Sequence, residues 1–593
     1  MTEPITWYAT TAAAAPERVA LSHDLDMDIC VIGAGLAGLT VAREVARRGW
    51  SVAVLEAGEV AGGASGRNAG FVSPGFAERI DAIVDRVGLP RARELWALSV
   101  SGVDYIRRAI GDAAMPGVEP RDGKITVRRT DDEPRLLEHA AMLRVDFGAD
   151  VEAWPTDQVR EVLRSPYYFQ GLHFAQGFHI HPLNYALGIA ADAEKHGARI
   201  FQNTRAIGID PAGVRKRVQT TGGMVRARHV VLAGSTGLGS VDEQIAATVL
   251  PISTYIAVTA ELGEKLFDAV RYSGAVADTR RAGDYYRVVG DDRLLWGGRI
   301  STRISEPRRL KAQIRRDILK VYPQLGEFEI DHAWSGTMAY AVHKMPQIGE
   351  LAPGYWLASA FGGHGLNTTA MAGELIARAI LDGDDRWRLF SSYELVWAGG
   401  AFGRAAVQTS LWTTQRRDAT AEWISRYRDA ARRDSEARQA RWEAEKAARK
   451  AEAEARRAEE EAKRVAEKEA RRLAAEEARR VAAENARLAK EEVERLREER
   501  RLAAEEARRA AEAQAMREVA EAAATLVRQV EAHKALTAET QAPRAAEAMV
   551  DGGGDAAAPP HDATAPGEPE ESKPRKRRGA KKKSLTEPSP PAT

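Results

Sequence analysis

Three glycines and one carboxylate at fixed spacing carry the first chemistry open to this chain. Gly33, Gly35 and Gly38 form G-x-G-x-x-G, and Glu56 closes the same unit. In such a unit the first glycine permits a tight turn and the second lets backbone approach a pyrophosphate. The third lets a helix lie close on a strand, and the terminal carboxylate accepts ribose hydroxyls while repelling a 2′-phosphate. The chemistry indicated is the holding of an adenosine dinucleotide. A second set lies in AGEVAGGASGRNAGFVSPGF, residues 57–76. There Gly62, Gly63, Ser65, Gly66, Arg67, Asn68 and Gly70 bring small side chains and bare amides to a loop where a flat ring or a phosphate can rest. A third is Gly362, Gly363, His364 and Gly365, with Asn367 just beyond, ahead of an amphipathic helix whose N-terminus aims its amides at an electron-rich group.

The elements that must position these groups are legible from periodicity. Ile29–Ile32 reads as a buried parallel strand, the following helix runs to about Arg48 and stops at Gly49, and Ser51–Leu55 is a second strand that delivers Glu56. From Ala77 to about Ala114 the spacing is helical. A helix over Pro182–His196 leads into a strand at Arg199–Phe201, and Arg228–Leu232 is a further apolar strand closed by AGSTGLG. Trp7 and Tyr8, in the lead-in, are expected on the domain surface. Residues 248–300 alternate as a sheet that roofs a pocket, and residues 354–381 make a strand, a Gly-Gly-His-Gly turn and a helix starting near Leu366. The fold class is α/β, a Rossmann-like dinucleotide domain joined to a mixed-sheet α+β domain.

Composition divides the chain. Every aromatic residue lies at or before Trp442, glycine is absent between Gly403 and Gly552, and proline between Pro353 and Pro543, so the packed core is expected to end near residue 430. A net charge of +1 gives the whole chain no bias toward nucleic acid or membrane. Cys30 is the one cysteine, so no intrachain disulfide forms. No run approaches the ~20 apolar residues of a membrane helix, and a cytoplasmic location is the expectation. His173, His179 and His181 lack a Cys or carboxylate cluster beside them, and no metal is expected.

The stretches ASGRNAG (64–70), HPLNYALG (181–188), DYYR with LLWGG (284–298), AWSGTMAYAVHKMPQIG (333–349) and FGGHGLN (361–367) resemble the FAD-dependent oxidoreductases of the D-amino-acid-oxidase superfamily, within it the gamma-glutamylputrescine oxidoreductase branch. The resemblance covers roughly residues 5–425. It implies non-covalent FAD, with Gly33, Gly35, Gly38 and Glu56 on the ADP half. Ser65, Gly66, Arg67, Asn68 and Gly70 would lie along the pyrophosphate and ring, and Gly362, Gly363, His364, Gly365 and Asn367 at the pyrimidine edge. It also implies a lead-in over 1–27 and a core over 28–430. Within the core the FAD domain comprises about 28–80, 183–245 and 340–400, and the substrate domain about 81–182 and 246–339.

Relatives that oxidise α-amino acids place a carboxylate-gripping arginine in the stretch that here reads Gly336, Thr337, Met338. Its absence points to an amine substrate without an α-carboxylate, unless Arg287 or Arg299 supplies the grip from the roof sheet. The reaction implied is hydride transfer from the carbon beside nitrogen to the flavin, giving an imine that hydrolyses to an aldehyde, with oxygen or another acceptor reoxidising the flavin. His364, Tyr286 and Trp334 are the side chains expected to touch the reacting groups. Tyr285, Trp296, Tyr340 and His343 are further candidates for an aromatic wall suited to a polyamine. Lys344 is a candidate partner for a water that reacts with reduced flavin. The alternatives are a sarcosine- or D-amino-acid-type oxidase, or a flavin-binding scaffold that tethers a partner.

Residues 434–540 read as a long Ala/Arg/Glu/Lys helix. Its near-repeats EARRLAAE and EARRVAAE place apolar side chains every eight residues, which turns the stripe by ~80° per repeat and denies one continuous seam. A solvated semi-rigid helix is expected, with a homodimer through an alanine-packed coiled coil as the alternative. Residues 541–593 read as a disordered tail whose KPRKRRGAKKK run suits an acidic partner, nucleic acid or anionic lipid through non-specific charge.

Overall fold

The computed structural model describes residues 5–483, 495, 497–517 and 519. The basic tail and the last part of the expected helix lie outside the described residues. With strands numbered in chain order, one eight-stranded sheet holds β1 (Leu25–Ile32), β2 (Val52–Leu55), β7 (Arg199–Phe201), β8 (Ala206–Asp210), β9 (Lys216–Thr220), β10 (Met224–Leu232), β16 (Gln347–Ala352) and β17 (Tyr355–Ser359). Its path is β16-β17-β10-β1-β2-β7. The pairs β1 with β2, β1 with β10, β10 with β17 and β2 with β7 are parallel. Both faces are covered, which is why Ile29, Cys30 and Val31 are wholly buried in an unbroken apolar run. This order gathers the three chemistry-bearing segments at one edge of the sheet, because β1 leads into Gly33, its neighbour β2 into Glu56 and the 57–76 loop, and β17, one strand away across β10, into the Gly362 turn.

A nine-stranded sheet forms the second layer: β3 (Phe71–Val72), β4 (Arg121–Val127), β5 (Glu152–Trp154), β6 (Gly171–His179), β11 (Val249–Thr259), β12 (Ala275–Asp278), β13 (Tyr285–Val289), β14 (Arg293–Ser301) and β15 (Ile330–Ala341). Ile125, Val127, Val276, Tyr286, Leu294 and Trp296 fill its back with Ile314 and Ile318 of the helix Leu310–Val321. Each such side chain contributes about 1.5–3 kcal/mol on burial. Register then decides which residues face forward, since side chains alternate.

Two expectations change. Tyr8 is fully buried rather than superficial: the short helix α1 (Trp7–Thr10) inserts it among Ile256, Val258, Leu295 and Trp334. The long helix begins at Gly400 and runs to Ala483, well before the change of composition at Asp434. Its first turns are held to the sheet domain by Leu411 and by buried ion pairs from Glu422 to Arg129 and from Asp429 to Arg160. The polar composition marks where this helix leaves the domain, and residues 430–468 are exposed. The chain divides into one compact unit ending at Ala451 and a second beginning at Glu452. Among the described residues, no helix is long and apolar enough to cross a membrane.

Candidate active site

The helix α2 (Leu36–Ala46) starts at Gly35, which offers no side-chain cap, so past the Leu36 amide, which Ser65 takes, its next amides have no capping side chain. Gly33 has φ +109°, and a Cβ there would stand 2.7 Å from the Ala233 carbonyl oxygen. A Cβ on Gly38 would stand 2.1 Å from the Gly33 oxygen, so strand and helix can touch only at glycine. Glu56 accepts hydrogen bonds from the amides of Ala34 (2.8 Å) and Gly58 (2.9 Å), which fixes its carboxylate at the end of β2.

The loop over 62–70 is braced from within. Ser65 Oγ accepts from the Leu36 amide at 2.9 Å and so seats the loop on the N-terminus of α2. Asn68 donates to the carbonyls of Ala64 and Ser65 and accepts from the Gly70 amide, so its side chain builds the turn instead of reaching outward. Gly66 is buried, where a Cβ would meet the Ala61 oxygen at 2.6 Å, and Arg67 donates from Nε to the Gly62 carbonyl. Gly70, at φ +82°, lies against the Ile180 carbonyl, 2.0 Å from where a Cβ would be.

Arg287 locks this loop to the rest of the fold. Its guanidinium donates to the carbonyls of Ala69 (2.8 Å) and Ile180 (3.0 Å), to Tyr8 Oη (3.2 Å) and to His179 Nδ1 (2.9 Å). Burial, with the Arg287 charge, holds the His179 imidazole neutral and down at about 3. Arg299 is taken by Asp317. Neither arginine is therefore free to grip a substrate carboxylate.

The third segment meets the same front. Gly362 donates its amide to the Ala339 carbonyl at 3.0 Å, and Cβ atoms on Gly362 and Gly363 would come within 2.8 and 2.7 Å of the Tyr340 side chain. Strand β15 thus touches the first loop at one end, where Trp334 donates to the Arg67 carbonyl at 3.0 Å and Gly336 lies below the same carbonyl, and the second turn at the other. Four strand steps run from Gly336 to Tyr340, about 13 Å, a span on the scale of a tricyclic ring. The helix Gly365–Asp382 begins without a side-chain cap from His364. His364 Nε2 instead lies 3.2 Å from the Pro74 carbonyl and 3.4 Å from Ser73 Oγ, and burial pushes its imidazole down to about 4.

Several candidates are placed elsewhere. Tyr286 is wholly buried behind the sheet, stacked 4.5 Å from Trp296 and bonded to Tyr322 Oη, so neither Tyr286 nor Trp296 reaches a substrate. Its neighbour Tyr285 faces forward, bonded at 2.7 Å to Thr254 Oγ1. Trp334, also wholly buried, supports the loop and does not touch reacting groups. Asn367 is buried and donates to the carbonyls of Gly75 and Ser99, so it ties the closing helix to its neighbour. His343 sits against Tyr393, and Lys344 is paired with Glu78 at 2.8 Å. Two forward-facing residues gave no signal in the sequence: Ser73, and Lys124 on β4, whose ammonium donates to Ser73 Oγ at 2.8 Å.

The family model described as FAD dependent oxidoreductase matches residues 28–379, the span that contains all three segments. The chain belongs to this family. It is 31% identical over 392 residues to gamma-glutamylputrescine oxidoreductase of Escherichia coli, covering 65% of this chain and 91% of that one. It is also 32% identical over 378 residues to a probable oxidoreductase, OrdL, of Haemophilus influenzae, covering 62% of this chain and 86% of the relative. Among solved structures, glycine oxidase from Bacillus cereus superposes with a TM-score of 0.52 at 19% identity, covering 62% of this chain and 98% of that one, a likeness of fold. The oxidoreductase accordingly uses FAD, bound non-covalently. The uncapped helix starts, the glycine floor and the strand joining loop to turn fit that group. Its only cysteine, Cys30, is buried in β1.

Proposed function

We propose that the oxidoreductase oxidises an amine of the polyamine or gamma-glutamyl-polyamine type, with Gly33, Gly35, Gly38 and Glu56 holding the ADP half of FAD. Gly66 and Gly70 would lie along the pyrophosphate and ring, and Gly362, Gly363 and Gly365 at the pyrimidine edge. Bound there, FAD supplies hydride acceptance from the carbon beside the amine nitrogen. The observation that carries the substrate class is the state of the arginines. The strand over Gly336–Met338 has none, and Arg287 and Arg299 are committed to internal partners. Two aromatic side chains face forward: Tyr285, fixed by Thr254, and Tyr340 under the Gly362 turn. Such walls attract an alkylammonium chain and shed water from it. His364, held neutral, places no charge beside the amine. The likeness to the Escherichia coli enzyme supports the same class.

The test is anaerobic mixing of the FAD-loaded protein with gamma-glutamylputrescine, putrescine, sarcosine and a set of amino acids, following flavin absorbance. Rapid bleaching by the first, with the amino acids at least 100-fold slower, is expected. Bleaching by sarcosine or amino acids alone would overturn the reading in favour of an amino-acid oxidase.

A further inference from the structure

Lys124 is a cation that the fold leaves without a counter-charge. It projects from β4 on the face opposite Ile125 and Val127, beside Phe174, whose ring centre is 5.6 Å from Nζ. Its single hydrogen-bond acceptor is the hydroxyl of Ser73, itself buried. Most other cations of the interior are matched, Lys216 excepted, which donates only to the Gly213 carbonyl. Arg18 faces Glu194, Arg43 faces Asp192, Arg129 faces Glu422 and Arg280 faces Asp278, while Arg287 is surrounded by four acceptors. No carboxylate among the described residues pairs with Lys124, and burial alone pushes its ammonium down to about 8, so it remains largely protonated at neutral pH.

A half-buried ammonium with two of its three N–H groups unspent costs the fold stability, and such a group persists where a ligand completes it. Its surroundings select the sign of that ligand. Ser73 joins Lys124 to His364, the residue from which the closing helix starts, so the positive end of that helix points into the same corner. His364 is neutral there. A free polyamine, cationic at both ends, would be repelled, whereas a carboxylate would find an ammonium and a hydroxyl already aligned.

The geometry points to Lys124 and Ser73 as a subsite for a carboxylate carried by the amine substrate, so that a gamma-glutamyl amine, and not the free polyamine, is the ligand the site is built for. This rests on the amine-oxidation reading of the same face and narrows it. Carboxylate recognition is thereby assigned to a lysine on β4, separate from the Gly336–Met338 strand.

The test uses the full-length FAD-loaded protein and two readouts. Glutarate and glutaramide are titrated against the flavin spectrum as probes that cannot be oxidised. The rate constants of flavin reduction by gamma-glutamylputrescine and by putrescine are measured in parallel. In Lys124→Met with unchanged FAD content, glutarate binding weakens at least tenfold, glutaramide binding stays within twofold, and the preference for the glutamyl amine over putrescine falls at least tenfold. Lys124→Arg restores glutarate binding to within threefold. Equal glutarate binding by Lys124→Met and wild type overturns the subsite even if amines are oxidised. If no amine reduces the flavin, the substrate reading fails, and the glutarate titration still decides whether Lys124 holds a carboxylate.

Discussion

Replacing Arg287 by methionine removes the tie between the 62–70 loop and three other parts of the chain while keeping side-chain bulk. The substitution strands the carbonyls of Ala69 and Ile180 and takes a partner from Tyr8 and His179. Each stranded buried carbonyl costs about 1–3 kcal/mol. Removing the desolvated guanidinium returns part of that, since no carboxylate accompanies it. A net loss of about 3 kcal/mol follows, concentrated where Ala69 anchors the loop that Ser65 seats on α2. Expressed at the cofactor site, that loss is about a hundredfold in the dissociation constant of FAD. The assay is reconstitution of the apoprotein with FAD, followed by flavin fluorescence. Arg287→Lys should bind FAD nearly as poorly, because an ammonium cannot repeat the planar fork that reaches four acceptors. An FAD dissociation constant within threefold of wild type for Arg287→Met would refute the view that this residue holds the cofactor loop in place.

Other outcomes follow from the same contacts. Gly38→Ala drives a Cβ to 2.1 Å from the Gly33 oxygen, and the purified variant should carry less than a tenth of the wild-type FAD. Ending the chain at Ala451 should leave FAD content and flavin reduction unchanged, whereas ending it before Gly400 takes the carboxylate partners of Arg129 and Arg160 and should give insoluble protein. An unchanged rate in the first case also removes the reading in which the enzyme is only a tether. Lys124→Met should raise stability to denaturant at neutral pH. The ammonium is depressed to about 8 in the fold against ~10.4 unfolded, so its charged form is penalised below pH 8 and the penalty fades as pH rises toward 10.4. The gain should reach at most about 3 kcal/mol below pH 8 and vanish near pH 10.5, read from urea unfolding across that range.

The strand–turn–helix–strand unit was legible because every part of it is local: a buried strand, a glycine turn, a helix and a second strand follow one another within Leu25–Leu55. The two other candidate segments were legible for the same reason, as runs of small residues flanking a strand or a helix. Orientation across the second sheet was not. In Asp-Tyr-Tyr-Arg nothing local says which tyrosine faces forward. The pairing of Tyr286 with Trp296 in β14 settles it and sends Tyr286 to the back. Asn68 and Asn367 looked like ligand-facing amides, but the loop and the helix junction each had unsatisfied carbonyls that these amides fill first. Lys124 carried no local signal, because its surroundings are set by Ser73 and Phe174, brought in by β3 and β6. The long helix was placed too late because its first turns carry aromatics and two glycines, the composition of a domain and not of a free helix.

The most direct test of the central claim, that three glycine-rich segments hold FAD between them without a covalent bond, is the flavin content of the purified or reconstituted protein. One FAD per chain, released intact on denaturation and lost in the double variant Gly38→Val with Gly362→Val, is the result expected. A protein that takes up no FAD, or a double variant that holds it as tightly as wild type, would contradict the account.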